Sequence, residues 1–195
     1  MLIPSNGSTR FREGALAAME VIDDFIAGMR RLASGVSVVT AVAADGTPCG
    51  MTATAVFSLS VEPPSLVVGV NKGNRLGEII PGAANFAVSI LGMRHRHVAE
   101  AFAGKVSGLW GPTRFAYGTW RYNGEGVPIL DDAPACFVCK IDDIIERSTH
   151  LLLIGTVTNV HLVDQDAALL VHYSRRFTGL GTSDAVGSHP NGSGP

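Results

Sequence analysis

Long apolar runs, a disulfide-sized cysteine count and a charge excess of either sign are all missing from these 195 residues. The purest apolar run, Leu151-Leu152-Leu153-Ile154, is strand-sized and far short of the ~20 residues a membrane span needs. The opening Met1 to Arg10 has no continuous apolar stretch of the secretory kind, so the expected location is the cytoplasm. The 3 cysteines, odd and sparse, make a poor disulfide framework and agree with a reducing compartment. The 15 Lys+Arg against 17 Asp+Glu leave a net charge of −2, which gives no electrostatic footprint for nucleic acid or an anionic membrane.

Several chemical fingerprints are absent as well. There is no G-x-x-x-x-G-K-[ST] phosphate loop and no G-x-S-x-G nucleophile elbow. Gly179-Leu180-Gly181 leads into a loose tail and not into the helix of a βαβ unit, so it is no Rossmann loop. Cys136-Phe137-Val138-Cys139 has the C-x-x-C form, but the pair lies within an alternating strand, where an odd separation sends the side chains to opposite faces. The two are expected to be buried core residues. His95 and His97 flank Arg96 with no carboxylate or cysteine close in sequence, which reads as a solvated helix start. No metal site is expected.

What is present is a compact chain, 46% hydrophobic and 16% charged. Residues 1–13 read as a flexible arm, 14–180 as one domain, and 181–195 as a flexible tail rich in Gly, Ser and Pro. Leu16, Met19, Ile22, Ile26, Met29 and Ala33 recur at helical spacing, with Gly35 as a stop. Strands are expected at Val36–Val42, Thr52–Leu59, Ser65–Val70, Phe86–Leu91, Ala135–Ile141, His150–Leu162 and Ala168–Tyr173. Short helices are expected near 74–80 and 97–103, and a Gly/Trp/Tyr-rich loop over 107–126. Many strands with few helices and no β-α alternation argue for a mainly β barrel with flanking helices.

The informative stretch runs from Gly50 to Ser60 and on through Pro63-Pro64 to Asn71-Lys72-Gly73-Asn74-Arg75. Its first part mixes small residues with the hydroxyls of Thr52, Thr54, Ser58 and Ser60, which lets a flat ring approach the backbone. Its second part ends a strand and opens a helix, with Gly73 between the cations Lys72 and Arg75, a ready anion site. A flat ring followed by a phosphate describes a flavin mononucleotide. The plainer reading is a hydroxyl-bearing strand followed by a surface turn.

The run Gly-x-Thr-Ala-x-x-x-x-Ser-x-Ser-x-x-Pro-Pro at 50–64, Asn85 to Leu91, Ala101-Phe102-Ala103-Gly104, and His150 followed by Ile154-Gly155-Thr156-Val157 resemble the flavin reductase-like family. These are the short-chain NAD(P)H:flavin oxidoreductases of two-component monooxygenases. The resemblance covers roughly residues 22–180. It implies a split β-barrel with a Greek-key core, of the FMN-binding type, working as a homodimer with flavin sites near the subunit interface. By that resemblance Thr52, Ala53, Thr54, Phe57 and Ser58 line the isoalloxazine, and Asn71, Lys72, Gly73, Asn74 and Arg75 form the segment that holds the ribityl phosphate. His150 matches a histidine associated with the nicotinamide; many members carry Gly-Asp-His where this chain has Ser148-Thr149-His150. Tyr173-Ser174-Arg175-Arg176-Phe177 resembles an aromatic-Arg-aromatic ending, with either arginine as the match.

The expected activity is therefore reduction of FMN or FAD by NADH or NADPH, with reduced flavin passed to a partner oxygenase. Two other readings stay open on the sequence: a flavin- or haem-binding module of the same shape without reductase activity, and a reductase of a corrinoid or metal chelate.

Overall fold

Valine, isoleucine and threonine crowd the segments between Ser37 and Leu162, and in the computed structural model, which describes residues 19–163 and 167–181, they form strands. The arm at 1–13 and all of the tail except Gly181 lie outside the described residues. In chain order come helix α1 (residues 19–29), β1 (Ser34–Gly35), β2 (Ser37–Val42), β3 (Pro48–Ala53), β4 (Val56–Val61), β5 (Pro64–Asn71), α2 (Arg75–Ile79) and β6 (Asn85–Ile90). After α3 (Arg96–Phe102) follow β7 (Trp120–Tyr122), β8 (Pro128–Leu130), β9 (Ala135–Arg147), β10 (His150–Leu162), β11 (Leu169–Tyr173) and β12 (Arg176–Leu180). One antiparallel sheet has the order β3-β2-β6-β9-β10-β5-β4; β1, β11 and β12 form a second sheet, and β7 and β8 a ribbon.

The strands β3 and β4 are consecutive in the chain yet occupy opposite edges of the large sheet. Only Thr54 and Ala55 join them, a reach of ~11 Å at most. The sheet therefore curls so that its two edges approach along a seam between β3 and β4, and the Gly69 amide on β5 donates to the Ala55 carbonyl at 2.8 Å, carrying the β4–β5 ladder into the corner. The result is a barrel split along that seam. A single strand over Thr52–Leu59, expected from composition, is thus broken at Thr54-Ala55. Residues that favour strands continue straight through the corner, so propensity does not mark it.

The central strands β2 and β6 and the first part of β9, Ala135 to Cys139, are buried on both faces, which their nearly unbroken apolar runs require. On the outer face Val38, Ala87 and Val138 pack beneath Val98 and Phe102 of α3 and Ile129 and Leu130 near the ribbon. On the inner face Val39, Phe86 and Val88 meet Leu76 and Ile80 at α2 and Leu151 and Leu153 of β10. The stretch expected to be a loop over 107–126 holds a 3-10 turn, Gly111–Ala116, and strand β7. Its Phe115 and Trp120 rings lie 5.0 Å from each other, and 5.0 and 5.2 Å from Phe102. These aromatic contacts order a segment whose glycines suggested no structure.

The chain also does not end its last strand at Tyr173. It turns through Ser174 and Arg175, at φ 49° and 64°, and returns as β12. Such left-handed pairs suit Asn-Gly, and Ser-Arg gives no comparable signal.

Candidate functional site

The seam puts the expected ring-binding residues into three different roles. Thr54, Phe57 and Ser58 are exposed beside it. Ala53, only 5% exposed, turns its methyl into the inner core and can offer a ligand only its backbone. The Thr52 hydroxyl donates to the Ala99 carbonyl of α3 at 2.7 Å, so it ties the edge strand to a helix. As a sheet edge, β3 leaves alternate N–H and C=O groups unpaired with β2, a polar rim for a pyrimidine edge.

The Asn71–Arg75 segment is a built turn. The Asn71 Oδ1 accepts from the Gly73 amide at 2.8 Å, and the Asn74 Oδ1 caps α2 by accepting from the Gly77 amide at 2.9 Å. The Asn74 Nδ2 reaches the Met51 Sδ at 3.2 Å, fixing the turn to β3. Gly77 lets the helix lie against the strand end, since a Cβ there would stand 2.3 Å from the Asn71 carbonyl oxygen. The ready anion site expected at Gly73 is corrected on one point: its amide is not free for an anion, because Asn71 already takes the N–H. The α2 helix spans only 5 residues, which leaves little dipole to add.

Anion binding in this segment therefore falls to side chains. The Lys72 Nζ lies 2.5 Å from Glu146 Oε1 on β9, and the Arg75 Nη1 lies 3.0 Å from Glu78 Oε2. Lys72 holds the Glu146 carboxyl below its usual value through that hydrogen bond. Both are exposed pairs, readily exchanged for a stronger anion.

His150 stands where the sequence puts it, at the first residue of β10. Its ladder partners are Asn71 on β5 and Arg147 on β9. The Lys72 amide donates to the Thr149 carbonyl at 3.0 Å, so the histidine and the cationic turn are locked side by side. From the seam at Ala55 to His150 is about 12 Å, counting two strand spacings across and two residues along.

The Ser148-Thr149 turn explains the triplet that departs from Gly-Asp-His. Ser148 sits at φ 49°, a conformation glycine adopts without strain. The Thr149 Oγ1 lies 2.9 Å from the His150 Nδ1, so a hydroxyl orients the imidazole where the resemblance has a carboxylate.

The Tyr173–Phe177 residues are not in this group. Their hairpin pairs with β1 in the separate three-stranded sheet, whereas His150 lies on β10 between β5 and β9 of the large one. Phe177 packs against the outer core, 5.7 Å from the His172 ring and beneath the Lys105 ammonium. Tyr173, Arg175 and Arg176 are exposed.

Two other expectations resolve differently from each other. Cys136 belongs to the outer cluster and Cys139 to the inner one, both buried, as the odd spacing requires. Burial, with Asp142 adding to it, pushes the Cys139 thiol up to about 12. His95 is not solvated: it is 2% exposed, with Nδ1 accepting from the Gly92 amide at 3.1 Å and Nε2 3.1 Å from Asp132 Oδ2. Both ring nitrogens are satisfied, which makes its burial affordable, and Asp132 lies too far along the chain for sequence proximity to reveal it. Sequence reasoning also missed Glu146 and Gly77, and no local pattern marks either one.

The architecture is that of the split β-barrels that handle flavins. A profile of the flavin reductase like domain matches residues 29–181. A NADH:riboflavin 5′-phosphate oxidoreductase of Streptomyces pristinaespiralis is 37% identical over 76% of this chain and 82% of its own length. The reductase component of a FADH(2)-dependent resorcinol hydroxylase from a Rhizobium species is 35% identical over 84% of this chain and 90% of its own. A 38% identical protein of Rhizobium meliloti is longer, and the match covers 49% of it. Among solved structures, BorF, the flavin reductase component of a bacterial two-component tryptophan halogenase, superposes with a TM-score of 0.73 at 28% identity, covering 82% of this chain and 98% of its own. The chain belongs to the flavin reductase-like family.

Proposed function

We propose that the chain reduces FMN or FAD with NADH or NADPH and supplies the reduced flavin to a partner monooxygenase. The observation that carries this reading is the pairing of His150 with Asn71, which sets a ring-bearing side chain beside the cationic turn and near an open sheet edge. When bound, the flavin supplies the electron-accepting ring for a hydride from the nicotinamide. The rim of β3, with Thr54, Phe57 and Ser58, receives that ring, and Lys72 and Arg75 receive its phosphate. His150 positions the nicotinamide, and Thr149 fixes its imidazole. No side chain needs to act as acid or base on the hydride, so the residues work by placement. Micromolar flavin binding, about −8 kcal/mol, would permit release to a partner.

A homodimer fits the same reading. Phe57, Leu59 and Val61 on the edge strand are 56%, 53% and 87% exposed, and Met19, Ile22 and Met29 on α1 are 62%, 56% and 49% exposed. Apolar faces of this kind ask for cover, and a second copy supplies it with its edge paired or shielded. Light scattering at micromolar concentration should give twice the chain mass. We place the protein in the cytoplasm, where NAD(P)H is maintained; among the described residues no helix is long and apolar enough to cross a membrane.

The deciding experiment mixes the purified chain with FMN or FAD and NADH or NADPH and follows loss of nicotinamide absorbance. Turnover that depends on added flavin is the expected result. Flavin binding without nicotinamide oxidation would refute the reductase reading and leave a binding module.

A further inference from the structure

A recess of about 360 Å³ opens where the β2–β3 turn faces α2, with Ala43, Ala44 and Asp45 on one wall and Arg75, Glu78 and Gly82 on the other. That volume suits a small organic ligand or one half of a larger one. Both walls are built. The Ala43 amide donates to the Thr47 carbonyl at 2.9 Å to close the turn, and the Asn74 side chain caps α2. Gly82 keeps the recess open, since a Cβ there would meet nothing within 4 Å. The recess continues a path that starts at the sheet edge. Along β3, the ring rim at Ala53 gives way to Met51, which the Asn74 Nδ2 touches, and then to Cys49. Burial raises the Cys49 thiol, and the Arg75 guanidinium beside it opposes the rise. Ala53 to Cys49 is about 13 Å at the rise of a strand, a span that a ribityl chain and its phosphate bridge from the pyrimidine rim. FMN therefore ends at Arg75, and the recess lies just beyond.

We propose that this recess takes the adenosine of FAD, so that the chain prefers FAD to FMN. The inference rests on the reductase reading above and on the flavin phosphate placed at Lys72 and Arg75. The walls decide the class of ligand. The Thr47 amide and hydroxyl hold the Asp45 carboxyl below its usual value, the amide donating to Oδ1 at 2.9 Å, so Asp45 is ionised and keeps further acceptor capacity. Glu78 brings a second carboxylate, shared with Arg75 at 3.0 Å. Two carboxylates repel a further phosphate but accept from the adenine amino group and the ribose hydroxyls. Ala43 and Ile79 give a flat base an apolar floor, and the planar Arg75 guanidinium suits stacking on it. An uncharged, flat group that carries donors fits this recess. NAD(P)H offers the same adenosine from a second source; the continuity from Ala53 through Arg75 favours the flavin.

The test fills the recess and compares the two flavins on the full chain. Gly82→Phe fills it from one wall and Ala44→Trp from the other, and both positions are exposed, so neither variant disturbs the core. Calorimetric titration of wild type should show FAD binding at least fivefold more tightly than FMN. Each variant should remove that difference while FMN affinity stays within twofold. Wild type that binds FMN as tightly as FAD overturns the proposal, and so do variants that weaken both flavins alike. Steady-state kinetics separate the two sources of adenosine. A KM for NADH or NADPH raised in both variants, with the FAD-to-FMN ratio unmoved, would assign the recess to the hydride donor and overturn the proposal as well. Absence of nicotinamide oxidation with either flavin would sink the reductase reading instead, and the flavin titrations would still report on the recess.

Discussion

Replacing Thr52 by valine separates a structural hydroxyl from a ligand-binding one. Valine keeps the shape and β-branching of threonine and removes only the donor that reaches the Ala99 carbonyl at 2.7 Å. That carbonyl also accepts from the Ala103 amide at 3.0 Å, so it is not left bare. The loss is then that of one hydrogen bond, about 0.5–1.5 kcal/mol, and not the larger penalty of an orphaned acceptor. For an ordered region of this size each kcal/mol moves Tm by about 2–4 °C, so thermal unfolding should fall by roughly 1–6 °C. Flavin affinity, read by quenching of flavin fluorescence, should change by less than about threefold, because a hydroxyl committed to α3 has little to give the ring. A variant with unchanged Tm and a tenfold weaker flavin would refute the reasoning and return the Thr52 side chain to the ligand.

Glu146→Gln should tighten FMN about threefold, because a phosphate placed on Lys72 would otherwise share that ammonium with a carboxylate some 5–6 Å away in screened solvent; riboflavin, lacking the phosphate, should bind wild type and variant alike, and equal gains for both would remove Lys72 from the phosphate site. Arg75→Ala should weaken FMN about tenfold and leave riboflavin nearly unaffected, as titration of both ligands will show. His150→Ala should raise KM for the nicotinamide dinucleotide with flavin affinity retained, and a parallel fall in kcat would mark ring alignment in the transition state; kinetics matching wild type would exclude the residue. Burial holds the His95 imidazole below its usual value against the pull of Asp132. The folded chain then binds that proton less readily than the unfolded one, so the stability it contributes is complete above about pH 6.5 and lost as pH falls through the folded value. Tm should drop more steeply from pH 7 to 5 in wild type than in His95→Gln, and parallel curves would rule the assignment out.

The two faces of β9 were legible because strand alternation is local: Cys136 and Cys139 are three residues apart, and their burial on opposite sides follows from period alone. His150 was legible as the start of a strand for the same reason. The corner at Thr54-Ala55 was not, since it depends on where β4 finds its partner, a choice made by β5 and not by the residues at the bend. The turn at Asn71–Arg75 was located correctly but its polar groups were misjudged: whether the Gly73 amide is free depends on the rotamer of Asn71. His95 shows the same limit from the other direction, for its burial rests on Asp132.

The depth at which the cysteines lie bears on endurance. A protein that releases reduced flavin works beside the hydrogen peroxide formed when that flavin gives two electrons and two protons to dioxygen. Peroxide attacks thiolates, and a thiol lifted to about 12 is ionised in roughly one molecule in 10⁵ at neutral pH. Cys49, Cys136 and Cys139, at 2%, 1% and 0% exposure, are shielded by packing as well as by protonation. The double-sided core that shapes the barrel thus also withholds its thiols from the by-product of its own chemistry.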